Sequence, residues 1–197
     1  GLVGESGSGK SLTALACMGL LPDGVGVTHG EIELGGRSVV SATESDLRSM
    51  RGPRIGMIFQ DPMTSLDPCF RIGRQMVEAI TEHESVSKEV ARKRAVDFLG
   101  HVGVPDPARR FDAFPHELSG GLRQRVMIAT ALLLEPKVLI ADEPTTALDV
   151  TTQASILRLV HRLREELDMS VLWISHDLAV VAQLADRVAV MYAGEIV

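Results

Sequence analysis

Eight residues near the start, Gly4-Glu5-Ser6-Gly7-Ser8-Gly9-Lys10-Ser11, fit the spacing G-x-x-x-x-G-K-[ST]. No other stretch restricts the fold so strongly. Closely spaced glycines let the backbone turn until successive N–H groups converge on one anion. A helix must follow at once, so that its positive end adds to the cradle. Lys10 can then reach the β- and γ-phosphates of a nucleotide, and Ser11 can ligate Mg2+. A strand should precede the loop, so "GLVG" reads as the tail of one. A flexible linker has the same glycine and serine content. A linker, however, has no reason to end in Lys-Ser and run straight into the apolar "LTALACMGLL". At ordinary glycine usage, chance yields this pattern in roughly one chain of this length in a hundred.

A phosphate cradle of this type predicts a second element, an apolar strand ending in an acid that holds Mg2+ through water. "VLIADE" supplies it, with Asp142 at the strand end and Glu143 next. An acid at Glu143 can accept a proton from water attacking a phosphate. Two solvated acids at an ordinary strand end are the bland alternative, and the cradle makes that reading a weak one. Gln60 ends the strand "RIGMIFQ", where its amide could ligate Mg2+ or orient water. His176 lies just past "SVLWIS". A lone histidine is more often structural, but the ends of parallel strands are where ligands bind. In "LSGGLRQR", Ser119-Gly120-Gly121 opens a helix. This spacing fits a plain N-cap and a second anion site equally well.

Several other chemistries are excluded. "HELSG" is not a zinc H-E-x-x-H, because Gly120 stands four residues after His116. Asp61 and Asp67 in "DPMTSLDP" fit no EF-hand spacing and read as a turn-rich loop. The net charge of −6 over 197 residues argues against broad nucleic-acid binding, which needs a basic face. Cys17 and Cys69 have no ligand-like spacing. The longest apolar run, "VMIATALLL", is far short of the ~20 residues that cross a bilayer.

The local pattern predicts an α/β fold. Leu12 to Leu21 reads as a helix stopped by Pro22 and Gly24, and "GEIELGGRSVV" as a hairpin about Gly35-Gly36. Ser41 and Glu44 fit a capping box for a short helix. Residues 72–102 are helical, with Ala91, Ala95, Leu99 and Val102 on one face. From Ser119 onward helices alternate with continuously apolar strands: a helix to Leu134, "KVLIADE", a helix from Thr151 to Leu167 with Ile156, Leu159, Val160, Leu163 and Leu167 inward, "SVLWIS", "DLAVVAQLA" and "RVAVMYAG". This is the mark of a parallel sheet covered on both faces. Residues from about 61 to 125 form an inserted, mainly helical part.

Taken together, the cradle, "LSGGLRQR", "VLIADEP", "TALD", "ISHD" and Gln60 resemble, in order, the conserved segments of the nucleotide-binding subunits of ABC transporters. "MIFQDPMTSLDP", "PHELSGGLRQRVMIATALL" and "LIADEPTTALDV" resemble the peptide and nickel uptake branch. Leu122 departs from that branch, which usually has Met there. The resemblance covers the whole chain as one nucleotide-binding domain, 1–197. It implies a P-loop NTPase (RecA-like) core with a parallel sheet, part of an antiparallel β element, and a helical subdomain at about 61–125.

The resemblance also implies roles. Gly4 to Ser11 would bind ATP, and Ser11, Gln60 and, through water, Asp142 would hold Mg2+. Glu143 would be the general base, His176 would brace the γ-phosphate, and Gln60 would link the metal to the membrane-facing loop. Ser119, Gly120 and Gly121 would touch the nucleotide of a second subunit, with Asp149 at the dimer interface. Implied partners are that second ATPase subunit (a heterodimer being favoured), two transmembrane permease subunits and, indirectly, a substrate-capture protein. Nucleic acid is not among them. The location implied is peripheral, on the cytoplasmic face of the cell membrane. Such subunits carry further residues at both ends, including an aromatic that stacks on adenine. The expected activity is ATP hydrolysis that powers uptake of peptides, or of nickel or another small solute. The alternatives are an ABC ATPase without a membrane partner and a nucleotide-binding module with little hydrolysis.

Overall fold

In the computed structural model, described for residues 1–61, 65–146 and 148–197, six strands form one sheet in the order β4-β5-β6-β1-β7-β8. They are β1 (Leu2–Gly4), β4 (Ile55–Ile58), β5 (Val138–Asp142), β6 (Ser170–Ser175), β7 (Ala189–Tyr192) and β8 (Glu195–Ile196). All neighbours run parallel except β7 and β8. A separate antiparallel hairpin, β2 (Glu33–Leu34) with β3 (Arg37–Ser38), turns at Gly35-Gly36.

The apolar strands are explained by their two faces. Successive side chains of a strand point to opposite sides. Leu2, Ile55, Met57, Ile140 and Ile174 pack with Ala14 and Met18 of the helix α1 (Lys10–Met18) on one side. Val3, Ile58, Leu139, Ala141 and Trp173 join the larger core on the other. That core is built by α3 (Ile72–His83), α4 (Lys88–His101), α5 (Pro107–Phe111), α6 (Gly120–Leu132), α7 (Val150–Glu166) and α8 (Leu178–Leu184). Ile156, Leu159, Val160 and Leu163 of α7 are buried as their spacing requires, while Leu167 is only partly so. Each such aliphatic side chain contributes about 1.5–3 kcal/mol by leaving water. Among the described residues, no helix is long and apolar enough to cross a membrane.

Three local expectations need correction. The first helix stops at Met18, before Leu21. Gly19 adopts a left-handed conformation (φ 63°) and caps it, so Pro22 is not the stop signal. The short helix α2 (Glu44–Met50) is capped by Thr43, not Ser41. Thr43 Oγ1 accepts from Asp46 N, and the Asp46 carboxylate accepts from Thr43 N. Ser41/Glu44 and Thr43/Asp46 carry the same spacing, and only the second pair forms the box. Finally, 72–102 is two helices rather than one. The chain leaves α3 at Glu84 and re-enters a helix after Ser87, whose hydroxyl accepts from Val90 N. The predicted inner face survives, since Ala91, Ala95, Leu99 and Val102 are all fully buried. The loop reading at 61–68 falls partly on residues outside those described, as does Ala147 of the "TALD" segment.

Candidate functional site

Parallel pairing places the carboxyl ends of β4, β5, β6 and β1 side by side. Ile58 pairs with Ala141, Asp142 with Ile174, and Val3 with Ser175. The residues just beyond these ends therefore converge, although they lie far apart in the chain. Gly4, Glu5, Ser6, Gln60, Glu143 and His176 line one cleft of about 610 Å3.

The cradle turns on glycines where a side chain does not fit. Gly9, the residue before α1, has φ 107°, a conformation that L side chains rarely adopt. At Gly4 the obstacle is space: a Cβ would run into the Met191 carbonyl and lie 2.8 Å from Ser8 Oγ. The loop is tied to the sheet edge by Gly194 N–H, which donates to the Ser8 carbonyl at 3.0 Å. Lys10 is 5% exposed, and its ammonium donates to the carbonyls of Gly4 (2.8 Å) and Glu5 (2.9 Å). It also stands 3.9 Å from Glu143 Oε1.

Glu143 is the hub. Its Oε2 accepts from Thr146 Oγ1 at 2.9 Å, from His176 Nδ1 at 3.1 Å and from Gln60 Nε2 at 3.4 Å. The carboxylate partner implies that His176 carries its proton on Nδ1. The backbone of Glu143 lies at φ 46°, unusual for a residue with a side chain, and its N–H is anchored to the Ile174 carbonyl. Strain of this kind concentrates at functional sites. Thr146 is not evident from sequence. The only signal is a hydroxyl three residues past an acid, which has meaning only if the chain turns there.

Asp142 is 4% exposed, and its Oδ1 is buried without a hydrogen-bond partner. Burial holds its carboxyl above the usual aspartate range, while the Ser11 hydroxyl and the Lys10 charge pull it back down and Glu143 pushes it up. Ser8 Oγ is likewise buried and unpaired. Two orphaned oxygens beside a glycine cradle and a buried ammonium fit a hydrated divalent cation and a polyphosphate. In such a site Asp142 and Ser11 would hold the metal, with Gln60 at its edge.

Ser119, Gly120, Gly121 and Asp149 do not line this cleft. They form a second cluster. Ser119 caps α6, its Oγ accepting from Leu122 N. Asp149 caps α7 through Thr151 N and Thr152 N, and its other oxygen accepts from Thr152 Oγ1 at 2.6 Å. Thr152 also lies against Gly121, where a Cβ would be 2.9 Å from its methyl. The structure thus joins the two sequence segments to each other, away from the chain's own cradle.

Both the sequence and the fold are similar to those of known proteins. A family model described as ABC transporter matches residues 1–146. The oligopeptide transport ATP-binding protein OppD of Bacillus subtilis (strain 168) is 57% identical over all of this chain and 55% of its own length. The dipeptide transport ATP-binding protein DppD of Escherichia coli (strain K12) is 51% identical over all of this chain and 60% of its own. The chain therefore spans little more than half the length of these relatives. The ATP-binding cassette MJ0796, in a dimeric post-hydrolysis state bound to ADP and Pi, superposes with a TM-score of 0.83 at 31% identity. That match covers 99% of this chain and 81% of that one. With a P-loop NTPase α/β fold and a family match over most of its length, the chain belongs to the ABC transporter family.

Proposed function

We propose that the chain is the nucleotide-binding domain of an ATPase subunit that powers peptide import. The observation that carries the reading is the convergence of Lys10, Gln60 and His176 on Glu143 beside the cradle. Gly4 to Ser11 bind the phosphates, Lys10 moving from its two carbonyls to the charge it is built to meet. Mg2+, when bound, neutralises charge on the phosphate oxygens. Ser11, Gln60 and, through water, Asp142 would hold it. Glu143 accepts the proton of the attacking water, and His176 braces the γ-phosphate. Ser119, Gly120, Gly121 and Asp149 serve a second ATPase subunit, whose nucleotide they face. That reading accounts for a capped cluster that does not line the chain's own cleft. Opening and closing of such a pair moves two permease subunits on the cytoplasmic face of the membrane, docked through the helical part at 61–125. A heterodimer is the favoured pairing. Peptide cargo is carried by the names of the relatives at 57% and 51% identity; a separate capture protein selects it.

Glu143→Gln tests the assignment in the intact protein with its partner subunits. ATP binding is kept and turnover falls at least about a hundredfold, the order of a lost general base. Undiminished hydrolysis in that variant removes Glu143 from the role of base.

A further inference from the structure

The donors on Glu143 are not equivalent. Thr146 Oγ1 gives Oε2 its shortest hydrogen bond among the described residues, 2.9 Å against 3.1 Å from His176 and 3.4 Å from Gln60. Oε1 receives none of the three, and among the described residues its one ion pair is with the Lys10 ammonium, at 3.9 Å. The terminal torsion of a glutamate is broad and nearly two-fold, so its oxygens exchange unless one is held. His176 and Gln60 come from other strand ends and line the cleft, where they meet whatever enters it. Thr146 belongs to the same turn as Glu143. Its N–H donates to the Glu143 carbonyl at 3.3 Å, just after the backbone passes through φ 46°.

We propose that the Thr146 hydroxyl is a positioning group for the ATPase reaction, fixing Oε2 of Glu143 so that Oε1 is the oxygen that accepts the water proton. The inference rests on the ATPase reading above. Thr146 does not line the cleft and acts through Glu143. It holds the carboxylate in one orientation while Gln60 and His176 are free to engage the contents of the cleft.

Thr146→Val keeps size, branching and the backbone N–H and removes only the donor. In the intact protein with its partner subunits, kcat falls about tenfold, the order expected for one hydrogen bond to a charged group. KM for ATP stays within about twofold, and so does ATP affinity by calorimetry in the presence of Mg2+. The melting temperature is unchanged. Thr146→Ser restores the rate. In a Glu143→Gln background, Thr146→Val lowers the residual rate no further. A wild-type kcat in Thr146→Val, a loss carried by KM or affinity instead, an equal loss in Thr146→Ser, or an additive loss in the Glu143→Gln background overturns the proposal. Full turnover in Glu143→Gln alone has a different meaning: it removes the base itself and the proposal with it.

Discussion

Asp142 ends β5 with one buried oxygen that no protein group satisfies. This makes it a source of instability as well as the proposed metal ligand, and Asp142→Asn separates the two. The aspartate carboxyl is held above its ordinary value of 3.8, chiefly by burial. Between 3.8 and its raised folded value, the folded protein holds more of this proton than the unfolded chain does. Stability therefore falls as pH rises through that window and stays lower above it. Asparagine has the same shape and no such charge. An unpaired buried polar group costs about 1–3 kcal/mol, more when charged; the asparagine amide keeps the polar part of that cost and sheds only the excess due to charge, so the variant should gain about 1 kcal/mol at pH 7. For a chain of this size, each kcal/mol raises Tm by roughly 2–4 °C. Thermal unfolding is followed by circular dichroism across acid to neutral pH, with and without Mg2+ and ATP. Without nucleotide, Asp142→Asn melts higher at pH 7, and the gap closes as pH approaches 3.8. With Mg2+ and ATP, the wild type is stabilised and the variant much less so. A variant that melts below the wild type at pH 7 without nucleotide, or a gap that ignores pH, refutes the account.

Two further substitutions probe the second cluster and the core. Gly121→Ala forces Thr152 aside, and because Thr152 Oγ1 is bound to Asp149 at 2.6 Å, it disturbs both caps together. Hydrolysis by the assembled ATPase pair should fall by roughly ten- to a hundredfold with nucleotide affinity retained; an unchanged rate would separate the cluster from catalysis. Leu163→Ala removes a fully buried side chain of α7. It should cost about 2–5 kcal/mol, read as a lower urea midpoint, and a loss well below that would mean the helix is not close-packed on the sheet.

The strands were legible because each must satisfy two cores. The apolar run "SVLWIS" has only one way to do so, and β6 spans those six residues, with Trp173 to one side and Ile174 to the other. Helix ends were less legible, because their signals are short and recur. The spacing of a capping box appears twice in "SATESD", and the pattern cannot rank its two copies. The break between α3 and α4 rests on one serine in a polar stretch, with neither glycine nor proline to mark it. In the site, Gly4 to Ser11 is local chemistry and reads directly from spacing. The meeting of residues 60, 143 and 176 is a property of strand order, which no local pattern encodes. Thr146 illustrates the limit. Its role depends on the backbone at Glu143 turning through a positive φ, and a glutamate gives no warning of that.

The two clusters differ in a way that bears on what each meets. Around the cradle, polar groups are left incomplete. Ser8 Oγ and Asp142 Oδ1 are buried and unpaired, and Lys10 is spent on two backbone carbonyls. Buried polar groups in that condition cost stability unless something small and charged completes them. Around Ser119 and Asp149 the accounting is the opposite. Both side chains are used as caps and exposed to solvent, and Thr152 is held. Among the described residues, neither side chain is left buried without a partner; what remains is two capped helix N-termini and a glycine pair offering an approach without side chains. The first cluster has the chemistry of the proposed phosphate and metal site, and the second has the shape of the proposed surface for a second subunit. A chain that carries an incomplete site and a separate capped surface, the second not lining the cleft of the first, has the layout that the proposed pairing with a second cassette requires.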